Sequence, residues 1–306
     1  MIAYRNKNTA IHKLSPVPKL AWVAGIVVLS LLFDSPLYLA LLFLVTLPIV
    51  AAAQVWREWA SYLKLALFLG ALVIVINSLI NYHGAHVLVE APFTVPGLGR
   101  PQVTLEAIIS GIGNSLRLLA TISAFSILTL TIHPDDLMQV LVKLKLPYKS
   151  VLVTSISTRF VPVLAADAAR IVEVQQSRGL ELGGGGLRQR IRNRTAVIIP
   201  LLANSLDRSV QVAEAMEARA FGSGRPRSNF KALEMLPLDV AALCMALAAL
   251  GLGVLIRVLG QGAFRYFPAA GGPALDATAV YMLLGLLLLL ASVWPVALLK
   301  RKLQLD

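Results

Sequence analysis

Two arginines, Arg178 and Arg219, are the residues of this sequence best suited to bind a partner. Each stands at the end of a polar, helix-like run that a glycine-containing break follows: QQSRGL at 175–180 and EAMEARAFGSG at 214–224. Small residues flank both arginines: Ser177, Gly179, Ala218 and Ala220. A guanidinium fork binds a carboxylate through two parallel hydrogen bonds, and small neighbours would let such a helix end enter a groove.

Each motif taken alone has an ordinary explanation. Arginine in a last helical turn interacts favourably with the helix carbonyls, and glycine is a common residue just past a helix end. The same pattern, however, occurs twice within one basic segment of the chain. This recurrence favours a matched pair of docking ends for matched sockets on a partner.

The composition indicates that these motifs belong to a membrane protein. Of 306 residues, 57% are hydrophobic and 14% are charged, and the mean hydropathy is +0.75. These values lie far from those of a soluble domain of this length. The net charge of +12 would raise the question of nucleic acid in a soluble protein. Here we expect no nucleic-acid partner. The lone cysteine, Cys244, lies in an apolar run and is expected to be a buried thiol.

Six apolar segments are long enough to cross a bilayer core of roughly 30 Å as helices. They lie at about 18–34, 37–55, 62–81, 107–132, 239–257 and 279–299. The predicted fold is therefore all-α, a polytopic membrane protein with about six transmembrane helices and a cytoplasmic helical coupling module between the fourth and fifth spans. The expected domains are 1–132 with four spans, 133–238 as the cytoplasmic module, and 239–306 with two spans.

Basic residues are concentrated on one side of this predicted topology. Most of the 28 lysines and arginines fall in the two tails, in the 55–62 connection region and in the central segment. By the positive-inside rule, both termini and the central segment are cytoplasmic.

Arg117 is the one charge deep inside a predicted span, in SGIGNSLRLLA. A charge at that depth is costly enough to require a polar partner or an interior face. Its neighbours Gly111, Asn114 and Ser115 form a small, polar surface suited to close helix packing. We interpret Arg117 as a structural contact between helices, with a place on a substrate path as the alternative.

The central segment, 133–238, is too polar to span and too long to be a connector. HPDDLMQVLVKL predicts a helix whose first turn carries Asp135 and Asp136, where the helix dipole favours negative charge. The pattern over 194–221 predicts an amphipathic helix against an apolar surface, and Pro200 should kink it. Joints of the module are expected at its prolines and glycines: Pro134, Pro147, Pro162, 183–186, Pro200 and 222–227.

At these residues the sequence resembles the transmembrane T component of energy-coupling factor (ECF) transporters, a branch of the ABC transporters that imports vitamins or transition-metal ions. The resemblance is carried by LSPVPKL (14–20), HPDDLMQVLVKLKLPYK (133–149), TRFVP (158–162), QQSRG and AMEARAFG (215–222). Members of that family carry two Ala-Arg-Gly motifs at the tips of cytoplasmic coupling helices that insert into two ATPase subunits. The resemblance implies that Arg178 and Arg219 are the coupling arginines. Residues in supporting positions would be Asp135, Asp136, Arg159, Pro162, Glu217 and Gly222.

Each motif departs once from the family pattern. Ser177 replaces the alanine of the first, and serine is small enough for the same groove. Ala220 replaces the glycine of the second, and alanine disfavours the left-handed backbone that glycine adopts easily. We therefore expect Gly222 to take over as the helix terminator.

The resemblance implies a subunit that catalyses nothing itself. It would transmit ATP-driven motion of two ABC ATPase subunits to a separate substrate-binding membrane subunit, the S subunit, in the cell membrane of a prokaryote. No cofactor is expected in this chain, because no G-x-x-x-x-G-K-[ST] loop occurs and ATP would be bound by the partners.

Two other function classes stay open from the residues. An integral-membrane enzyme acting on lipids would use clustered carboxylates or histidines, whereas His83 and His86 with Glu90 look like loop residues and not a metal site. An ordinary ABC permease would carry one principal coupling loop per chain, and a secondary carrier would show internal repeats and broken spans.

Overall fold

The computed structural model describes most of the chain in two compact units. The described residues are 7, 9–80, 84–90, 102–144, 147–180, 186–223, 235–267 and 277–303. The first unit comprises Met1–Leu137 with Leu233–Asp306, and the second comprises Met138–Ala232. His83 of the histidine pair and the glycines at 183–185 lie outside the described residues.

The elements are almost all helices, which confirms the predicted all-α class. In chain order they are α1 (Ala10–Lys13), α2 (Pro16–Leu32), α3 (Pro36–Ala53), α4 (Trp56–Ile80), β1 (Val87–Glu90), β2 (Gln102–Thr104), α5 (Leu105–Thr131), α6 (Pro134–Lys143), α7 (Tyr148–Ser177), α8 (Leu187–Ala218), α9 (Pro237–Val258), α10 (Ala277–Ala291) and α11 (Val293–Leu303). The antiparallel pair β1–β2, with Val87 opposite Thr104, is an addition that the sequence reading did not include.

Local sequence explains where these helices begin and end. Pro16, Pro36 and Pro237 occupy the first positions of α2, α3 and α9, where a proline lacks only an N–H that no helix carbonyl would accept. Thr104 caps α5, because its side-chain oxygen accepts a hydrogen bond from the Ala107 N–H at 3.3 Å.

The core of the first unit lies where α2, α3, α5 and α9 pack together. Its fully buried apolar side chains include Ile26, Leu29, Phe33, Leu39, Leu42 and Ile256. Gly253 of α9 packs directly on α2, since a Cβ there would stand 2.1 Å from a Leu29 methyl carbon. Buried hydrogen bonds join the helices as well. The Trp22 Nε1–H donates to the Leu290 carbonyl at 3.1 Å, and the Trp59 Nε1–H donates to Ser123 Oγ at 2.9 Å.

Six helices are long and apolar enough to cross a membrane, judged by length and composition: α3, α4, α5, α7, α9 and the stretch Ala277–Leu299. The predicted number is confirmed, but its membership differs. The predicted first span is the shorter helix α2, Pro16–Leu32, because Phe33 takes an extended backbone before the turn to α3.

The prediction missed helix α7, whose length and composition also meet the requirement for crossing a membrane. An 18-residue window of α7 has a mean hydropathy of 1.4. Three of its five charged residues, Asp167, Arg170 and Glu173, stand in the second half of the helix, so averaging over the whole of 133–238 concealed the more apolar first half.

The prediction for Cys244 was also wrong, since the thiol is exposed on α9. The face of α9 that packs inside the unit carries Ala242, Ala246, Ala249, Gly253 and Ile256. All faces of such a helix are apolar, so composition alone does not reveal which residues meet other helices.

Arg117 has the polar partners that its depth requires. Its Nε–H donates to the Ser30 carbonyl at 2.8 Å, and Nη2 donates to the Phe33 carbonyl at 2.9 Å. Asp34 lies between two arginines, 3.3 Å from Arg117 and 2.9 Å from Arg257. Arg117 thus ties α5 to the α2–α3 turn, as the structural interpretation expected.

His86 pairs with a residue that the sequence reading did not consider. Its Nδ1 lies 2.7 Å from Glu106 Oε1, and its backbone N–H also faces that carboxylate. Glu106, in the first turn of α5, has no exposed surface. The pair ties the residues before β1 to the beginning of α5.

Candidate functional site

The second unit is built on two long antiparallel helices, α7 and α8. Near the end of α7, Gln175 Nε2 donates to the Ala196 carbonyl near the beginning of α8, at 3.2 Å. Further along, Arg208 Nη2 of α8 lies 3.0 Å from Asp167 Oδ2 of α7. The same guanidinium lies 5.9 Å from the Phe160 ring centroid. These contacts fix the two helices side by side in opposite directions.

Both helices continue through an internal proline, Pro162 in α7 and Pro200 in α8. The prediction that Pro162 is a joint between helical segments was therefore wrong, whereas the helix predicted over 194–221 does continue through Pro200. A proline inside a helix removes one backbone hydrogen bond at a cost of about 3 kcal/mol, and neighbouring turns of a long, packed helix can offset that cost. Pro147, by contrast, does stand at the N-terminus of α7.

The two arginines occupy the same position in the two helix ends. Arg178 is the C-cap of α7 with φ −86° and ψ 10°, and Arg219 is the C-cap of α8 with φ −89° and ψ 16°. In each case the next residue enters the left-handed region: Gly179 has φ 82° and Ala220 has φ 57°. The backbone therefore turns in the same way after each arginine.

The hydrogen bonds of the two ends also correspond. The Leu180 N–H donates to the Gln175 carbonyl at 3.0 Å, and the Phe221 N–H donates to the Met216 carbonyl at 3.0 Å. Inside each of these bonds lies a second one, from Gly179 to Gln176 at 2.9 Å and from Ala220 to Glu217 at 2.8 Å. This pair of nested bonds defines a Schellman motif. Glu217 thus contributes a backbone carbonyl to the second end.

Ala220 itself terminates α8, so the expectation that Gly222 would take over was wrong. Gly222, with φ 92°, lies two residues further on in the same turn, and Ser223 donates back to the Ala220 carbonyl at 3.3 Å. A left-handed alanine costs roughly 1–2 kcal/mol. The two nested hydrogen bonds of the Schellman motif supply the compensating stabilisation.

The residues at both ends are exposed, including the two arginines, Ser177, Ala218 and Glu217. Ser177 Oγ donates to the Glu173 carbonyl of its own helix at 2.9 Å. Because this bond uses the hydroxyl hydrogen, the serine presents to a partner a small side chain much like that of alanine. Arg178 also lines a surface groove of about 250 Å³ on the second unit. The other lining residues are Arg170, Ile171, Val174, Gln175 and Pro200.

The two arginine ends lie far apart on the helix pair. Gln175, three residues before Arg178, contacts Ala196. From Ala196 to the last helical residue, Ala218, α8 runs for roughly 33 Å at about 1.5 Å per residue. Arg178 and Arg219 therefore stand at opposite ends of one antiparallel pair.

The supporting residues fall into separate places. Glu217 and Gly222 belong to the Arg219 end, as described above. Arg159 is exposed on α7, roughly 28 Å of helix before Arg178, and does not form part of that end. Asp135 and Asp136 lie in the first turn of α6, as predicted, with the Asp135 N–H 3.2 Å from His133 Nδ1.

Besides Glu106, two further buried charged residues of the first unit were not predicted from the sequence. Lys19 is 7% exposed and donates to the Thr131 carbonyl at 3.1 Å, and Asp239 has no exposed surface and accepts from the Ser15 N–H at 3.1 Å. Local sequence features could have indicated both residues. Lys19 lies within LSPVPKL, and Asp239 stands in the first turn of an apolar helix that begins with a proline.

Comparison with known proteins relates this chain to transporter membrane components. Residues 7–230 match the model of a family described as cobalt transport protein (CbiQ). The chain is also similar to proteins named energy-coupling factor transporter transmembrane protein EcfT. It is 30% identical to that of Heliobacterium modesticaldum over 81% of this chain and 92% of the relative. It is 28% identical to that of Acidaminococcus fermentans over 85% and 96%, and 28% identical to that of Bacillus selenitireducens over 74% and 85%.

Proposed function

We propose, since this chain belongs to the cobalt transport protein (CbiQ) family, that it couples ATP hydrolysis in two partner subunits to substrate movement in a third. The chain is a multi-pass membrane protein of a prokaryote and the T component of an energy-coupling factor transporter, not an enzyme. In our proposal the partners are two ABC ATPases, which bind the ATP, and an S subunit that binds a vitamin or a transition-metal ion. The second unit and both termini then face the cytoplasm.

The observation that carries this proposal is the correspondence of the two arginine ends. Two antiparallel helices of similar length, 30 and 32 residues, are related by an approximate two-fold axis across the pair. Their C-terminal ends therefore offer the same backbone turn and the same C-cap arginine in two symmetric directions. Two like ends fit two like sockets, as a pair of similar ATPase subunits would provide.

The chemistry of docking follows from the exposure of the arginines. Within the described residues, neither guanidinium makes a hydrogen bond or an ion pair. Each can therefore bind a carboxylate of an ATPase groove through two charge-assisted hydrogen bonds. The small residues beside each arginine let the helix end approach closely, and the groove next to Arg178 can receive an apolar side chain of the partner.

Transmission of movement depends on the rigidity of the helix pair. The Asp167–Arg208 ion pair and the Gln175–Ala196 hydrogen bond connect α7 and α8 at two levels. Closure of the two ATPases on ATP changes the positions of the two sockets. The helix pair then moves as a rigid body between two positions and passes this displacement to the rest of the chain.

Charge reversal tests the proposal. Arg178→Glu and Arg219→Glu should each weaken ATPase binding by at least about 30-fold, since reversing one partner of a buried ion pair costs 2 kcal/mol or more. The measurements are co-purification of the ATPases from membranes and ATP-driven uptake. Arg57→Glu is the matched control, because Arg57 is an exposed arginine on α4 that belongs to neither helix end nor to the groove beside Arg178. Wild-type binding by both reversed variants would refute the proposal.

A further inference from the structure

We infer that Lys19 and Asp239 hold the two points at which the chain leaves and rejoins the first unit, and that they are positioning residues for coupling. This inference rests on the proposed function, since it concerns how a displacement of the second unit reaches the spans. The four residues involved, Ser15, Lys19, Thr131 and Asp239, are called the anchor below. All four belong to the first unit.

The first contact of the anchor fixes the end of α5. Thr131 is the last residue of α5, and its carbonyl is among those that no helical N–H can reach. The Lys19 ammonium, on the first turn of α2, donates to that carbonyl at 3.1 Å and approaches the His12 carbonyl at 3.4 Å. A cation at a helix C-terminus is favoured by the helix dipole, and these acceptors offset the cost of burying the charge.

The end of α5 is also where the chain departs for the second unit. Ile132 is buried and extended, with φ −118° and ψ 129°, and α6 begins at Pro134. The second unit starts at Met138, within α6. Lys19 therefore holds the chain at the last residue of α5, just before it continues through α6 towards the second unit.

The second contact of the anchor fixes the returning chain. The second unit ends at Ala232, and α9 begins at Pro237 with Leu236 as its N-cap. Asp239 Oδ2 accepts from the Leu236 N–H at 3.1 Å, so the carboxylate caps its own helix. Asp239 Oδ1 accepts from the Ser15 N–H at 3.1 Å, which ties the same helix beginning to the start of α2.

Both contacts converge on one turn of α2. Ser15 is the N-cap of α2, and Lys19 stands four residues later, one helical turn along. The beginning of α2 therefore connects the departing and the returning chain through buried hydrogen bonds. With both contacts intact, a displacement of the second unit moves α5 and α9 together. Loosening either contact should let the segment that leaves α5 or the segment that enters α9 move while the helix itself stays in place.

The test follows ATP-driven movement inside the first unit, so it needs no knowledge of the cargo. Replacing Cys244, the single cysteine, by alanine allows spin labels at Phe125→Cys on α5 and Leu288→Cys on α10, both exposed positions. Helix α10 contributes no residue to the anchor, so it serves as the reference for the movement of α5. The chain is assembled with its ATPases and S subunit in liposomes. ATP hydrolysis and the ATP-induced change in the label distance, measured by pulsed electron paramagnetic resonance, are then compared between variants.

Lys19→Met keeps the aliphatic stem and removes the ammonium, and Asp239→Asn keeps the shape and removes the charge. Each should retain ATPase binding and hydrolysis within about twofold and reduce the ATP-induced distance change at least twofold. Lys19→Arg should restore the change, because a guanidinium donates to the same carbonyl and a cavity of about 20 Å³ beside Lys19 leaves room for it.

Trp22→Phe is the matched control. It removes a buried hydrogen bond within one turn of Lys19, but to Leu290 of α10, which neither leads to nor returns from the second unit. This variant should lower thermal stability and keep the distance change. If the Lys19 and Asp239 variants keep it as well, the anchor is refuted while the proposed function stands. If the wild-type chain binds no ATPase, the proposed function fails and the anchor falls with it.

Discussion

The exchange of glycine and alanine between the two helix ends is the sharpest test of their equivalence. Gly179 and Ala220 hold the same position in two Schellman motifs, with φ 82° and φ 57°. Replacing Ala220 by glycine removes the penalty of a left-handed alanine, about 1–2 kcal/mol. The glycine loses more conformational freedom on folding, about 0.5–1 kcal/mol. The net stabilisation of the α8 end should therefore be about 0.5–1 kcal/mol.

The reciprocal change, Gly179→Ala, should destabilise the α7 end by a similar amount. A Cβ at Gly179 would meet no atom within 4 Å, so the cost comes from the backbone alone and not from a clash. Because the two ends stand roughly 33 Å of helix apart, the effects should be independent and local. Each single variant should alter its own helix end and leave the other unchanged.

Amide hydrogen exchange measures these local free energies. The Phe221 N–H, which closes the second motif, should exchange about 2- to 5-fold more slowly in Ala220→Gly. The Leu180 N–H, which closes the first, should exchange faster by a similar factor in Gly179→Ala. An unchanged or faster Phe221 amide in Ala220→Gly would show that Ala220 is not strained, and the equivalence of the two ends would be lost.

Two further predictions concern the first unit. Burial raises the pKa of Tyr266, in the loop after α9, from 10.0 to about 12. Its contribution to stability is thus fully present below pH 10 and is lost as pH rises towards 12, and Tyr266→Phe should remove this pH dependence from thermal unfolding. Gly253→Ala should destabilise the unit by about 1–3 kcal/mol because its Cβ would collide with Leu29, whereas Gly251→Ala, which meets no atom within 4 Å, should not lower the melting temperature.

The spans were predictable because the bilayer imposes one simple requirement, a long apolar helix. The predictions 107–132 and 239–257 differ from α5 and α9 by no more than two residues at either end. The same requirement says nothing about which face of a span meets its neighbours. For that reason the exposure of Cys244 was missed, and the helical periodicity that reveals buried faces in soluble proteins was no help.

Contacts between residues distant in the sequence could not be predicted, for a different reason. Lys19 and Thr131 are 112 positions apart, and the sequence around neither residue indicates that the two are in contact. The left-handed Ala220 was missed because alanine's own preference opposes it, and only the nested hydrogen bonds of the folded helix end impose it. In both cases tertiary or motif-level bonding outweighs the local preference on which a sequence prediction depends.

A third helix end shows that the arginines, and not the backbone turn, distinguish the two ends for which we propose docking. Helix α9 also closes with a Schellman motif: Gln261 N–H donates to the Ile256 carbonyl at 3.0 Å, and Gly260 has φ 77°. Its C-cap is Leu259, whose side chain has neither a charge nor a hydrogen-bond donor with which to bind a carboxylate. At α7 and α8 the C-cap is an exposed arginine whose guanidinium, within the described residues, makes no hydrogen bond to the last helix carbonyls. Ordinary capping therefore does not account for these two side chains, which supports our proposal that they bind carboxylates of a partner.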